Sequence, residues 1–294
     1  MERVYTVKKS QNSLPLVFDS PHSGKVYPEN FGYHCDFETL QRAEDHDVED
    51  LFAYAPEIGA ALLSAEFPRS YIDPNRAIDD IDENLLAAPW PRETLGEITP
   101  TARSDSGIGL IRRLVRPGEP VYNRALSPEE IQTRIDTYYK PYHAALQELL
   151  DNAHYDFGMV YHINCHSMPN ETARPKRGLK LLGGQPRYAD FTLGNRDGTT
   201  ASIGFTHDIR NFIQSLGYYV TINDPFKGVE CVARYGAPAR GRHSLQLEIN
   251  KALYMHEDTG ARSENYGALK SDIEKIIDFC ASYVEEQLKP IAAD

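Results

Sequence analysis

The chain has 294 residues, 41% of them hydrophobic and 25% charged, with a formal net charge of -12. That length and balance suit a globular protein with a sizeable core, and no apolar run reaches the roughly 20 residues that span a bilayer. The negative surplus disfavours nucleic acid and anionic membranes as partners, but a small anionic substrate remains compatible wherever arginines gather. Cys35, Cys165, Cys231 and Cys280 lie far apart without a CxxC pair, which speaks against a disulfide framework and for a reducing cytoplasm. The N-terminal stretch lacks the basic-then-apolar form of a secretory signal.

In chain order, LPLVFD (Leu14–Asp19) reads as a short buried strand running into Ser20-Pro-His-Ser-Gly24. The apolar spacing of Leu40, Ala43, Val48, Leu51 and Phe52 predicts a helix over about Phe37–Ala55. ALLSAE (Ala61–Glu66) is a second strand, and the Pro/Thr/Ser-rich stretch Leu85–Gly109 a long functional loop. SPEE at Ser127 supplies an N-cap, a proline at the first helical position and a capping-box Glu130. Ile131, Ile135, Tyr138, Tyr142, Leu146 and Leu149 then mark one face of that helix. Phe157–Ile163 is a strand, Pro169–Arg187 a polar loop and Ala201–Leu216 a helix. Tyr218–Ile222 and Ser244–Ile249 are strands, and Tyr266–Leu288 is an amphipathic helix. Strands and helices alternate from end to end, which predicts a single α/β domain over 1–294, three-layered around a largely parallel sheet.

Ligands gather beyond the carboxyl ends of strands in such sheets, and four of these strands carry polar residues there. They deliver His22, then Arg69, Asp73, Asn75 and Arg76, then His166, and last Glu248 within the apolar HSLQLEIN. A buried carboxylate is costly unless paired or functional. The acidic segment RAEDHDVEDLF places Asp45 and Glu49 four residues apart, on one side of a helix. Either acid with His22 and His166 would make two imidazoles and a carboxylate, the protein ligands of a catalytic zinc site. No HExxH, GxSxG, Walker A or GxGxxG sequence is present. On the strand YHINCH, His162 shares a face with His166 while Cys165 points the other way, into the core.

DSPHSGKVYP, EDHDVEDLF, RSYIDPNR, YHINCHSM, LGNRDGT, NDPFKG and RHSLQLEINKALYM occur in that order. Together they resemble the N-formylglutamate amidohydrolase family over roughly His22–Met255. The resemblance implies a phosphorylase/hydrolase-like α/β/α fold of the zinc-carboxypeptidase-like superfamily. It also implies zinc-dependent hydrolysis of N-formyl-L-glutamate to formate and glutamate, in histidine breakdown. His22 and His166 look like metal ligands; Asp45 matches the family's acidic position best and Glu49 second. His46-Asp47 stands where family members often carry Trp-His, so both acids stay in play.

By the same resemblance Glu248 is the general base, and Asn75 and Arg76 hold a substrate carboxylate; Arg69, by its position, is the candidate to assist the oxyanion. Arg196 and Lys227 are candidates for a second carboxylate, and His/carboxylate sites accept other divalent ions besides zinc. LIRRLVR, with Arg112, Arg113 and Arg116, reads as a solvated basic island. Two alternatives compete: a zinc-dependent deacylase of another N-acyl amino acid, and a non-catalytic carboxylate-binding protein on the same fold.

Overall fold

The structure, a computed structural model, describes residues 3–10, 13–176 and 187–289. Among the described residues nine strands form: β1 (Tyr5–Lys8), β2 (Leu16–Ser20), β3 (Ala61–Ala65), β4 (Leu114–Arg116), β5 (Glu119–Pro120), β6 (Val160–Met168), β7 (Phe191–Gly194), β8 (Val220–Ile222) and β9 (Arg242–Asn250). Seven build one sheet in the order β1-β3-β2-β6-β9-β7-β8, and β4 and β5 make a separate two-stranded ribbon. The pairs β2–β6, β6–β9 and β7–β8 are parallel, and β7 runs antiparallel to β9. Helices flank this mixed, mostly parallel sheet, giving the three-layer α/β fold that the alternating pattern predicts.

The chain divides into two compact units. One comprises the described residues before Val7 together with Pro21–His46 and Ser64–Leu146. The other comprises the described residues of Val7–Ser20, Asp47–Leu63 and the stretch from Gln147 onward.

In the second unit the period-2 alternation of strands decides the core. Leu16, Phe18, Ile163, Cys165, Leu245, Leu247 and Ile249 share an apolar cluster with Leu269, Ile273, Ile276, Ile277, Cys280 and Val284 of helix Tyr266–Leu288. Those helix positions recur at three- and four-residue spacing, and each buried aliphatic side chain is worth about 1.5–3 kcal/mol. The opposite face of the same strands is polar. Asp19, His162, Asn164, His166, Ser244, Gln246 and Glu248 are all buried there, brought side by side by the registers Asp19↔Asn164, His162↔Ser244, Asn164↔Gln246 and His166↔Glu248.

In the first unit, Ser127 caps the helix starting at Pro128 by accepting from the Glu130 N–H at 3.2 Å. The predicted apolar stripe continues, but through a π-helical turn at Ile135–Tyr139 before Lys140–Phe157 resumes α-helical form. That turn sends the Tyr139 hydroxyl to the Arg76 carbonyl at 2.9 Å, and His143 Nε2 donates to the Pro74 carbonyl at 2.8 Å. Both bonds brace the IDPNR segment.

Three predicted elements come out differently. The helix expected over Phe37–Ala55 is two short pieces, Phe37–Gln41 and Val48–Leu51. Asp47 adopts a left-handed φ of 59° ahead of the second piece, so Asp45 and Glu49 do not sit on one helix face. The Leu85–Gly109 loop contains two short helices, Arg92–Leu95 and Ala102–Asp105. Its serines and threonines act as caps, with Thr101 and Ser104 forming a reciprocal box and Asp80 accepting from the Thr101 N–H at 2.9 Å. Strand β6 runs on to Met168, five residues past the expected end, which puts His166 inside the strand. Part of the predicted loop Pro169–Arg187, residues 177–186, lies outside the described residues.

Candidate active site

The first cluster grows from the turn after β2. Gly24 lies so close to the next segment that a Cβ there would meet the Phe67 carbonyl oxygen at 2.2 Å. Only glycine allows the two backbones this approach, and the Val26 N–H then reaches the Glu66 carbonyl at 2.8 Å. We expect Gly24→Ala to push the His22 turn outward. It should cost about 1–3 kcal/mol by the measure of overpacked interiors, which thermal melting would register as a drop of several degrees.

His22 is 2% exposed. Its Nε2 stands 2.6 Å from Asp73 Oδ1 and its Nδ1 stands 3.3 Å from Asp45 Oδ2. Asp73 also accepts from the Asn75 N–H at 2.9 Å and from Arg69 Nη2 at 2.8 Å. Burial alone would raise the Asp73 pKa, but the Arg69 guanidinium, then His22 and Arg76, reverse this and hold it well below the ordinary carboxylate value. Ionised Asp73 accepts the hydrogen bond from His22 Nε2, which leaves Nδ1 facing an oxygen of Asp45 across 3.3 Å. A cation, whether a proton or a metal ion, belongs between that nitrogen and the carboxylate at this separation. Ligands about 2.1 Å from one tetrahedral zinc are roughly 3.4 Å apart, so this pair fits a divalent ion. Asp45 is held in place by its own N–H, which donates to the His22 carbonyl at 3.1 Å, and by Arg69 Nη1 at 3.4 Å.

The second cluster lies on the polar face of β2, β6 and β9. His166 Nε2 donates to Asn164 Oδ1 at 2.7 Å, and Asn164 Nδ2 donates to Asp19 Oδ1 at 2.8 Å. Asp19 Oδ1 also receives His162 Nε2 at 2.7 Å, while His162 Nδ1 meets the Ser244 hydroxyl at 2.7 Å. With its Nε2 proton committed to an amide oxygen, a neutral His166 carries its lone pair on Nδ1, the arrangement that supporting hydrogen bonds give to metal-binding histidines. On the neighbouring strand, Gln246 receives the Val229 N–H on its oxygen at 3.2 Å and donates to Glu248 Oε1 at 2.8 Å.

His22 and Asp45 in the first unit and His166 in the second are all buried, and each offers one ligand atom. Among the described residues Glu49 is not part of any group that could hold a metal ion. The predicted Asn75 and Arg76 are buried, with Arg76 Nε donating to the Ile108 carbonyl at 3.1 Å and Nη1 to the Asn75 carbonyl at 3.0 Å. Arg196 and Lys227 are exposed; Arg196 donates to the Gly228 carbonyl and Lys227 pairs with Asp197. His243 stacks on Tyr161 at 4.6 Å in the apolar layer, where burial lowers its pKa. Cys165 lies in that layer too, its thiol pushed well up by burial.

A family model for N-formylglutamate amidohydrolase matches residues 14–255. The chain belongs to this family. A crystal structure of N-formylglutamate amidohydrolase from Ralstonia eutropha JMP134 is 43% identical, covers 97% of this chain and 99% of its own, and superposes with a TM-score of 0.89. The N-formylglutamate deformylases of Pseudomonas putida and Pseudomonas aeruginosa are 28% and 26% identical, over 84% and 87% of each chain respectively.

Membership does not by itself point to the supporting residues. Asp73 stood among the strand-end residues but without its pairing to His22, and Asn164, Asp19 and Ser244 were not among the candidates. A usable signal existed in the strict alternation of polar residues along two otherwise apolar strands, YHINCHS and HSLQLEI. LIRRLVR is a plain correction: Arg113 and Arg116 reach solvent, but Arg112 is 7% exposed and therefore not part of a solvated island.

Proposed function

We propose that the chain is a metal-dependent amidohydrolase that hydrolyses N-formyl-L-glutamate to formate and L-glutamate, working as one amidohydrolase domain. The observation that carries this reading is the 43% identity, over nearly the full length of both chains, to a protein named for that activity. In the reading, His22, Asp45 and His166 hold a divalent ion, zinc first among the candidates. When bound, such an ion supplies Lewis acidity, polarising the formyl carbonyl and making water a better acid near neutral pH.

Glu248 takes the proton of the attacking water and returns it to the departing amine nitrogen. Its buried strand position, with Gln246 fixing one oxygen, favours a single orientation for this transfer. Arg69 stabilises the charge developing on the formyl oxygen. Asn75 and Arg76 hold the α-carboxylate.

The substrate is then a small dianion, and histidine degradation in the cytoplasm is the setting we propose. The four cysteines form no disulfide, in keeping with a reducing compartment. Among the described residues no helix is long and apolar enough to cross a membrane.

The deciding assay compares N-formyl-, N-acetyl- and N-succinyl-L-glutamate. We expect kcat/KM to be highest for the formyl compound. A higher value for either bulkier acyl group would replace the deformylase reading with that of a different deacylase.

A further inference from the structure

Arg112 follows the buried pair Leu110-Ile111 and is itself enclosed. Its neighbours discharge their charge on local acids, Arg113 on Asp82 and Arg116 on Glu119. Arg112 does not. Nη1 donates to the Val115 carbonyl at 3.2 Å, while Nε is buried without a partner. Among the described residues no carboxylate forms an ion pair with it.

Arg134, buried in the same unit and likewise with an unpartnered Nε, differs in having its counter-charge in place. It has Glu130 at 2.7 Å, the Tyr122 hydroxyl at 2.7 Å and the Tyr71 ring at 4.1 Å. Arg76 resembles Arg112 instead, with its side-chain hydrogen bonds going to carbonyls. Asp45 and Asp73 are the carboxylates whose fields reach Arg112, and both are already engaged by Arg69. Arg76 also feels Asp80, so Arg112 is left with two carboxylates that Arg69 already holds. A buried charge left short of counter-charge is costly, and a planar guanidinium is built to take a carboxylate on two N–H groups.

We infer that Arg112 is the specificity-determining residue that receives the side-chain carboxylate of a dicarboxylic N-acyl amino acid, while Asn75 and Arg76 receive its α-carboxylate. The inference rests on the function proposed above and refines its substrate class. Arg76 takes the nearer carboxylate because it adjoins Asn75, whose N–H lies on Asp73, the partner of His22. Burial, reinforced by the charge of Arg69, pushes the Arg112 pKa down to about 9, which an incoming carboxylate would oppose. Arg196 and Lys227 are exposed, and exposed cations hold carboxylates weakly.

The test compares wild type, Arg112→Gln, Arg112→Lys and Arg196→Gln on three substrates: N-formylglutamate, N-formylglutamine and the α-amide of N-formylglutamate. For Arg112→Gln we expect KM to rise about 10–100-fold on the two substrates that keep the side-chain carboxylate, in line with a lost charged hydrogen bond. N-formylglutamine should be nearly unaffected by Arg112→Gln, and Arg196→Gln should leave the ranking of the three substrates as it is in wild type. An equal loss on all three substrates, no loss, or a loss that follows the α-carboxylate overturns the inference.

Thermal melting checks folding. Should Arg112→Gln not fold, Arg112→Lys carries the test, because it keeps the charge without the planar fork and should lose part of the same selectivity. Calorimetric binding of L-glutamate against L-glutamine, in wild type and variants, separates the two readings. If wild type turns over no N-formyl amino acid, the deformylase reading fails. An Arg112-dependent preference for glutamate would still uphold the role of Arg112, and its absence would remove it.

Discussion

Replacing Glu248 by Gln is expected to lower kcat on N-formylglutamate by about 10²–10⁴-fold, the usual contribution of a positioned general acid–base group. The substitution is nearly isosteric, so packing of the polar face should survive. Gln246 has its oxygen committed to the Val229 N–H and its amide N–H₂ turned toward Glu248, and the new amide oxygen can accept the same bond. What disappears is the ability to take and return a proton. The variant should keep its metal content and melt within a few degrees of wild type, with KM changing far less than kcat. A kcat within tenfold of wild type, with metal content intact, would remove Glu248 from proton transfer. A loss of metal in this variant would instead recast the residue as a ligand.

How much of this was legible beforehand differs residue by residue. The alternation in YHINCHS separates His162, Asn164 and His166 from Ile163 and Cys165 with no knowledge of the fold, because a strand has a fixed period of two. The same logic lifts Glu248 out of HSLQLEI. The acidic segment was harder. Its apolar spacing satisfies a helix, and nothing local reveals that the Asp45 N–H is drawn to the His22 carbonyl or that Asp47 turns left-handed. Asp45 was therefore named as a candidate ligand but given the wrong backbone.

Arg112 was misread for a related reason. Composition sees three arginines in LIRRLVR, but only tertiary contacts tell which one turns inward. Arg113 and Arg116 find acids, Asp82 and Glu119, and Arg112 finds a carbonyl. Local charge density cannot make that distinction, since the acid that neutralises one of these guanidiniums lies 31 residues away.

Removing the divalent ion is expected to abolish hydrolysis and to lower the melting temperature, both reversibly. Without the ion, His22 Nδ1 and the Asp45 carboxylate, both buried, face each other at 3.3 Å and lose the cation that joins them. Saturating the site at about 100 times Kd stabilises the fold by about 2.7 kcal/mol, worth roughly 4–5 °C in a chain of 294 residues. His22→Ala, Asp45→Ala and His166→Ala should each purify with well under one equivalent of metal and gain little from added zinc. Glu49→Ala should bind metal as wild type does.

Asn164→Leu offers the graded case. It keeps every proposed ligand but removes the oxygen that fixes the His166 tautomer, so metal affinity should fall about 10–100-fold and excess zinc should restore activity. Elemental analysis and competition with a chelator of known affinity read each outcome. Full occupancy in His22→Ala or His166→Ala would show that these imidazoles do not share one ion, and the carboxylate facing His22 would then need another counter-charge, most simply a second proton on the ring.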